Sequence, residues 1–252
     1  MSGTHPRIIG VIPARLASTR LPRKVLRDVA GQPMLAWVYG AAEACPQLAE
    51  VIVATDSVEV QQLCRERGWR SLMTSSDLPS GTDRLYAVSR VVDADIYVNI
   101  QGDEPLLLPE HITAILALFT SEEIKVTTPK VRCSVEDIAN PNAVKVVTAI
   151  DGRALYFSRS TIPFDRDGQG AATYWKHLGL YAYRRAALER FAALAPSELE
   201  LSERLEQLRL LENGISIYVA ETAHDTIGVD TEADLQRVEA ILLKRGARGS
   251  GG

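Results

Sequence analysis

The first periodic stretch of the chain is wholly apolar. Ile8 to Ile12 (IIGVI) runs into Pro13 without a polar break, the pattern of a strand buried on both faces. Apolar positions at helical spacing follow from Pro33 to Ala44, with Gly31 and Gln32 in the turn before them. A second apolar run, Val51 to Asp56 (VIVATD), predicts another strand, and Val58 to Gly68 predicts a helix that ends at its glycine. Ser71–Thr74 reads as a short strand, Thr82–Val92 as a helix, and Asp95–Ile100 (DIYVNI) as a strand. Pro109–Phe119 reads as a helix after the turn QGDEP. Strand and helix alternate as they do in a parallel sheet covered by helices on both faces.

Beyond Phe119 the rhythm changes. Lys125–Val131, Ala143–Ile150, Ala154–Ser160 and Gly179–Arg185 are strand-like and crowded together. Helices are predicted over Ala186–Ala195 and Leu199–Asn213, a strand over Ile215–Glu221, and a last helix over Glu232–Arg245. The expected fold class is therefore α/β: a Rossmann-like, mostly parallel mixed sheet flanked by helices, with a β-rich excursion in the second half. Nothing resembling a linker or repeat divides the chain, so residues 1–245 are expected to form one domain. The glycine-rich end, residues 246–252, is expected to lack structure.

Composition narrows the function classes. With 252 residues, 46% of them hydrophobic, the chain can bury a full core. A net charge of -4 supplies no basic field for nucleic acid or an anionic membrane surface. Apolar runs are strand-sized, and the opening MSGTHPR lacks the apolar core of a signal peptide. Cys45, Cys64 and Cys133 are odd in number and far apart, which argues against a zinc site or a disulfide framework. A cytoplasmic protein with reduced thiols is expected.

Ligands of open parallel sheets bind beyond the carboxyl ends of the strands. After the first strand, Arg15, Arg20, Arg23 and Lys24 gather in one loop; such a set suits phosphate oxygens, or else is a solvated basic turn. The loop lacks GxxxxGK[ST] and GxGxxG, so it is neither a P-loop nor a dinucleotide fingerprint. After the fourth strand stands Asp103. Beside a triphosphate a carboxylate needs magnesium between, although a turn aspartate before Pro105 reads equally well. Ser80, Gly81 and Thr82 allow a base or ribose close to backbone, or simply cap a helix.

Taken in order, PARLASTRLPRK, VATD, SGTDRL, NIQGDEPL, NPNAVKVV, ALYFSRSTIPFDRD, KHLGLYAYRR, LEQLRLLENG and GVDTEADL resemble the CMP-Kdo synthetase family from about Ile8 to Leu243. VATD alone is weak; the ordered set, above all NIQGDEP with ALYFSR, KHLG-Y and LEQLR, is specific. The resemblance implies a nucleotide-diphosphosugar transferase fold, magnesium, and a homodimer. It also implies transfer of CMP from CTP to the sugar acid 3-deoxy-manno-octulosonate (Kdo) for lipopolysaccharide assembly. By the same resemblance Arg15 and Lys24 hold the triphosphate, with Arg20 in support. Ala14, Ser80, Gly81 and Thr82 lie near the base and ribose, and Gln101 lies at the junction of nucleotide and sugar. Asp103 and Asp230 bind magnesium, where Asp230 would otherwise read as the cap of the last helix. Arg159 is the candidate for the sugar carboxylate. His177, Tyr181, Glu206 and Gln207 are candidates for its hydroxyls; His177 and Tyr181, four apart on a strand, would share a face.

No residue stands out as a general base. The family pattern LPGK is here LPRK, so Arg23 occupies a glycine position. If that position needs positive φ, arginine there costs about 1 kcal/mol or more; if not, Arg23 is one more cation near phosphate. The competing readings are CMP transfer to 8-amino-Kdo, which QGDEP rather than QGDQP disfavours, or to another acidic sugar, and a non-catalytic nucleotide-binding protein.

Overall fold

The computed structural model describes residues 6–16 and 20–249, the last four by their backbone only. Ala17–Thr19 of the cationic loop and residues 250–252 of the expected tail lie outside the described residues.

In chain order the elements begin with β1 (Ile8–Ala14), a 3-10 turn (Lys24–Leu26), β2 (Asp28–Val29), β3 (Gln32–Pro33) and α1 (Met34–Glu43). Then come β4 (Glu50–Thr55), α2 (Val58–Arg67), β5 (Arg70–Met73), α3 (Gly81–Ser89), β6 (Ile96–Asn99) and α4 (Pro109–Leu116). The later part contains β7 (Val126–Arg132), α5 (Val135–Ala139), β8 (Lys145–Thr148), β9 (Ala154–Ser158), β10 (Trp175–His177) and β11 (Tyr181–Arg184). It closes with α6 (Arg185–Ala193), α7 (Glu198–Glu203), α8 (Gln207–Glu212), β12 (Ile217–Thr222) and α9 (Glu232–Gly249). Two compact units divide the chain, Met1–Pro109 with Thr226–Gly252, and Glu110–Asp225, where the sequence suggested one domain. The helix α9 carries residues 246–249, the first part of the stretch expected to lack structure.

In the first unit the strand order is β5-β4-β1-β6, and every pair is parallel. Ile9, Val11, Ile12 and Ala14 of β1 are completely buried, as an apolar run without alternation requires. A Cβ at Gly10 would lie 2.9 Å from Leu48 Cδ1 and 3.1 Å from Ile100 Cδ1, so glycine lets the strand pack closely on both sides. The helix α2 starts where the Ser57 side chain accepts from the Val60 amide, and it ends at Gly68 with φ +71. Leu235, Val238 and Leu242 line one side of α9 and pack with Leu21, Val29 and Met34. Each such buried side chain contributes about 2 kcal/mol. This packing holds the segment just before α9, which includes Asp230, within the first unit.

The second unit has a mixed sheet. In it β7 pairs antiparallel with β10 and β11 and parallel with β12, and β8 joins β10 to β9. The predicted helix over Leu199–Asn213 is two helices, α7 and α8. Arg204 at their junction takes left-handed φ 56, where a helix cannot continue. A fork from Arg209 to Glu200, Nε to Oε2 at 2.7 Å and Nη2 to Oε1 at 2.5 Å, fastens the two pieces together. The short elements β10 and α5 have no counterpart in the sequence reading.

Candidate functional site

Strand order in the first unit reverses at β1, which has β4 on one side and β6 on the other. The gap beyond the carboxyl ends of β1 and β6 is where a parallel α/β sheet takes a ligand. Arg15 stands at the end of β1, and Gln101, Gly102 and Asp103 stand just past the end of β6. Their approach is close. A Cβ at Gly102 would meet the Pro13 carbonyl oxygen at 2.9 Å, so only glycine fits. A Cβ at Gly81 would lie 3.4 Å from Pro13 Cγ and 3.7 Å from Gln101 Oε1. The structure thus brings Gly81 and Gln101 together beside Pro13, the residue before Ala14.

Lys24 and the two aspartates also meet. Lys24 Nζ donates to Asp103 Oδ2 at 2.5 Å and to Asp230 Oδ1 at 3.0 Å, while Arg20 Nη2 donates to Asp230 Oδ2 at 3.0 Å. Backbone brings the carboxylates together, since the Val229 amide donates to the Asp103 carbonyl at 2.9 Å. Burial alone lowers the pKa of Lys24, and the two carboxylates outweigh it, leaving the ammonium held above its ordinary value. Asp230 is not the cap of α9. The Thr231 hydroxyl accepts from the Asp234 amide in that role, and Asp234 reaches back to the amides of Asp230 and Thr231.

Two carboxylates sharing one cation are a donor set that magnesium fits, the remaining ligands being phosphate and water oxygens. No cluster of three or more His, Cys, Asp or Glu suited to a metal occurs among the described residues. Asp103 and Asp230 alone therefore do not make a closed protein cage.

Arg15 is exposed and has no carboxylate partner among the described residues. For Arg23 the first of the two alternatives holds. Its φ is 57 and ψ 30, so the position does require the left-handed conformation that favours glycine. Its guanidinium pairs with Glu59 of α2 rather than joining Lys24. Ser80 caps α3, with Oγ accepting from the Asp83 amide at 3.2 Å. Thr82 Oγ1 accepts from Asn99 Nδ2 at 3.3 Å, which ties α3 to β6.

The second unit carries the other expected set. Arg159 is aimed by backbone: Nε donates to the Glu203 carbonyl at 2.7 Å, Nη1 to the Pro141 carbonyl at 3.0 Å and Nη2 to the Arg204 carbonyl at 3.4 Å. These carbonyls fix its direction and leave its full positive charge unpaired by any carboxylate among the described residues. Lys145, completely buried, holds the neighbouring turn by donating to the Asn140 and Ala143 carbonyls. Ser158 Oγ and the Arg159 amide both donate to the Glu203 carboxylate, at 2.6 and 3.0 Å. Sequence reasoning missed Glu203, which lies just before LEQLR, and Lys145, which stands inside NPNAVKVV but was given no role there.

His177 and Tyr181 do not share one strand. His177 ends β10 and Tyr181 opens β11, yet their ring centroids lie 5.3 Å apart, with Phe157 5.0 Å from His177. Thr128 stitches the break, its Oγ1 donating to the Leu180 carbonyl at 2.7 Å with His177 Nε2 2.9 Å away. The hydroxyl proton is spent on that carbonyl, so the imidazole Nε2 carries a proton and donates. Burial lowers the pKa of His177 to about 3 and pushes the Tyr181 hydroxyl well above the ordinary phenol value. Both are neutral near pH 7, suited to hydrogen bonding and not to proton transfer. Glu206 precedes α8 and Gln207 is its buried first residue.

A parallel sheet that reverses at β1, with paired carboxylates and cations at its strand ends, defines a nucleotide-handling α/β protein. The chain belongs to the cytidylyltransferase family, whose model matches residues 9–217. Within that family it is similar to the 3-deoxy-manno-octulosonate cytidylyltransferase of Acidobacterium capsulatum, 64% identical over 94% of this chain and 97% of the relative. The protein of the same name from Koribacter versatilis is 60% identical over 95% of this chain and 91% of the relative. A solved structure of CMP:2-keto-3-deoxy-manno-octonic acid synthetase complexed with CTP superposes with a TM-score of 0.91 at 44% identity, over 95% of this chain and 99% of that one. The inositol-1-phosphate CTP transferase from T. maritima, at 13% identity and a TM-score of 0.68, shares the fold alone. The family resemblance and the fold class read from the motifs are borne out.

Proposed function

We propose that this chain transfers CMP from CTP to Kdo and releases pyrophosphate. The observation that carries the reading is the 64% identity, over nearly the whole of both chains, to a 3-deoxy-manno-octulosonate cytidylyltransferase. In this reading Arg15 and Lys24 hold the triphosphate, Arg20 supports them, and Ala14, Ser80, Gly81, Thr82 and Gln101 receive the nucleoside. Asp103 and Asp230 hold magnesium, which when bound neutralises phosphate charge and acidifies a coordinated oxygen. Arg159 receives the sugar carboxylate, and His177, Tyr181, Glu206 and Gln207 its hydroxyls.

The anomeric hydroxyl oxygen forms a bond to the α-phosphorus and gives up its proton to water, and the bridging bond to the β-phosphate breaks, so that pyrophosphate leaves. Positioning and charge neutralisation supply most of the acceleration in such transfers. No side chain is assigned as base, and the depressed pKa of His177 supports leaving it out of that role.

No helix among the described residues is long and apolar enough to cross a membrane. The reading places the protein in the cytoplasm, as a homodimer supplying activated Kdo for lipopolysaccharide. Support for the dimer comes from Ile150 and Leu155, exposed apolar residues at the β8–β9 end of the second unit's sheet. The activity is tested by mass spectrometry of the products of CTP, Kdo and magnesium. CMP-Kdo is expected; CMP and unreacted Kdo alone would contradict the reading.

A further inference from the structure

Arg84 is the largest completely buried side chain of the first unit, and the reaction proposed above gives it no role. Its Nη2 donates to Asp56 Oδ2 at 2.5 Å and its Nη1 to Thr74 Oγ1 at 2.5 Å. Asp56 directly follows β4, Thr74 directly follows β5, and Arg84 itself lies in the first turn of α3. The network runs on. The Thr74 amide and hydroxyl donate to the Thr55 carbonyl at 2.8 and 3.1 Å, and Thr55 Oγ1 donates to the Ala14 carbonyl at 2.6 Å. One chain of buried and part-buried polar contacts therefore connects the carboxyl ends of β5, β4 and β1 with the start of α3. At one end stands Ala14, and at the other stand Ser80, Gly81 and Thr82.

Stability is a poor explanation for this arrangement. A buried ion pair loses in desolvation much of what it gains in attraction, and apolar replacements of similar volume are often as stable. What the guanidinium does supply is direction, because its planar fork fixes two partners at once.

We propose that Arg84 is a positioning residue of the CTP pocket, setting where the first turn of α3 stands relative to the end of β1 without touching the nucleotide. The inference rests on reading that turn as the nucleotide site. It is tested by titrating CTP, by calorimetry well below the unfolding temperature, into the wild type, Arg84→Lys, Asp56→Asn and Thr74→Val. Thermal midpoints and the KM values for CTP and Kdo are recorded alongside. Each variant is expected to bind CTP about tenfold more weakly, the scale that a small misplacement of contacts produces. Its KM for Kdo should change less than about twofold, since no Kdo contact has moved. Lowered midpoints with unchanged CTP affinity in folded Asp56→Asn and Thr74→Val would overturn the positioning role and leave the nucleotide site standing. A wild type that binds no CTP would overturn the nucleotide reading, and the inference with it.

Discussion

At the scale of single residues, Arg23 shows how a backbone requirement can be met against preference. Its left-handed φ of 57 is a conformation that glycine adopts without penalty, and its exposed pair with Glu59 returns little. In urea denaturation, Arg23→Gly should be more stable than Arg23→Ala by about 1 kcal/mol. Equal stability of the two would show that the position carries no strain. His177 gives a second test. Its folded pKa of about 3 lies below the ordinary value of 6.5, so the unfolded chain binds the proton more readily. Its contribution is complete above pH 6.5 and is lost as pH falls from there towards 3. His177→Asn should therefore flatten the stability profile between about pH 6 and pH 4 relative to the wild type. An unchanged acid slope would place the imidazole in water.

At the scale of elements, the join between α7 and α8 depends on the largely buried Glu200–Arg209 pair. Arg209→Leu would leave a carboxylate buried without its cation and should cost about 3 kcal/mol in chemical denaturation. A loss near zero would show that Glu200 finds water instead. The break itself was not legible in the sequence, because Arg204 adopts a left-handed conformation that no glycine or asparagine announces. Strand β10 escaped for a different reason: three residues, Trp-Lys-His, carry too little periodicity to mark a strand. By contrast β1, β4 and β6 were plain, since burial on both faces leaves no room for polar alternation. The strand-end rule pointed to Arg15 and Asp103 from these runs alone. Asp230, far along the chain, joined Asp103 only through the family resemblance. Arg84 and Glu203 pair with other residues, and segments read as a plain helix cap and a helix gave no hint of that.

At the scale of the whole molecule, Ile150 and Leu155 are too exposed to serve the core, at 110% and 62% of full accessibility. If they meet a second copy, Leu155→Asp should turn a dimer into a monomer of 27.6 kDa by light scattering. A wild type that is already monomeric would remove the dimer from the account. The central claim is the reaction, and pyrophosphate release tests it most directly. Wild-type protein is given CTP, magnesium and Kdo, and then each mixture lacking one of the three. Release that requires all three is predicted. Release without Kdo would make the chain a CTP pyrophosphohydrolase, and no release with Kdo from protein shown to bind CTP would contradict Kdo as the acceptor.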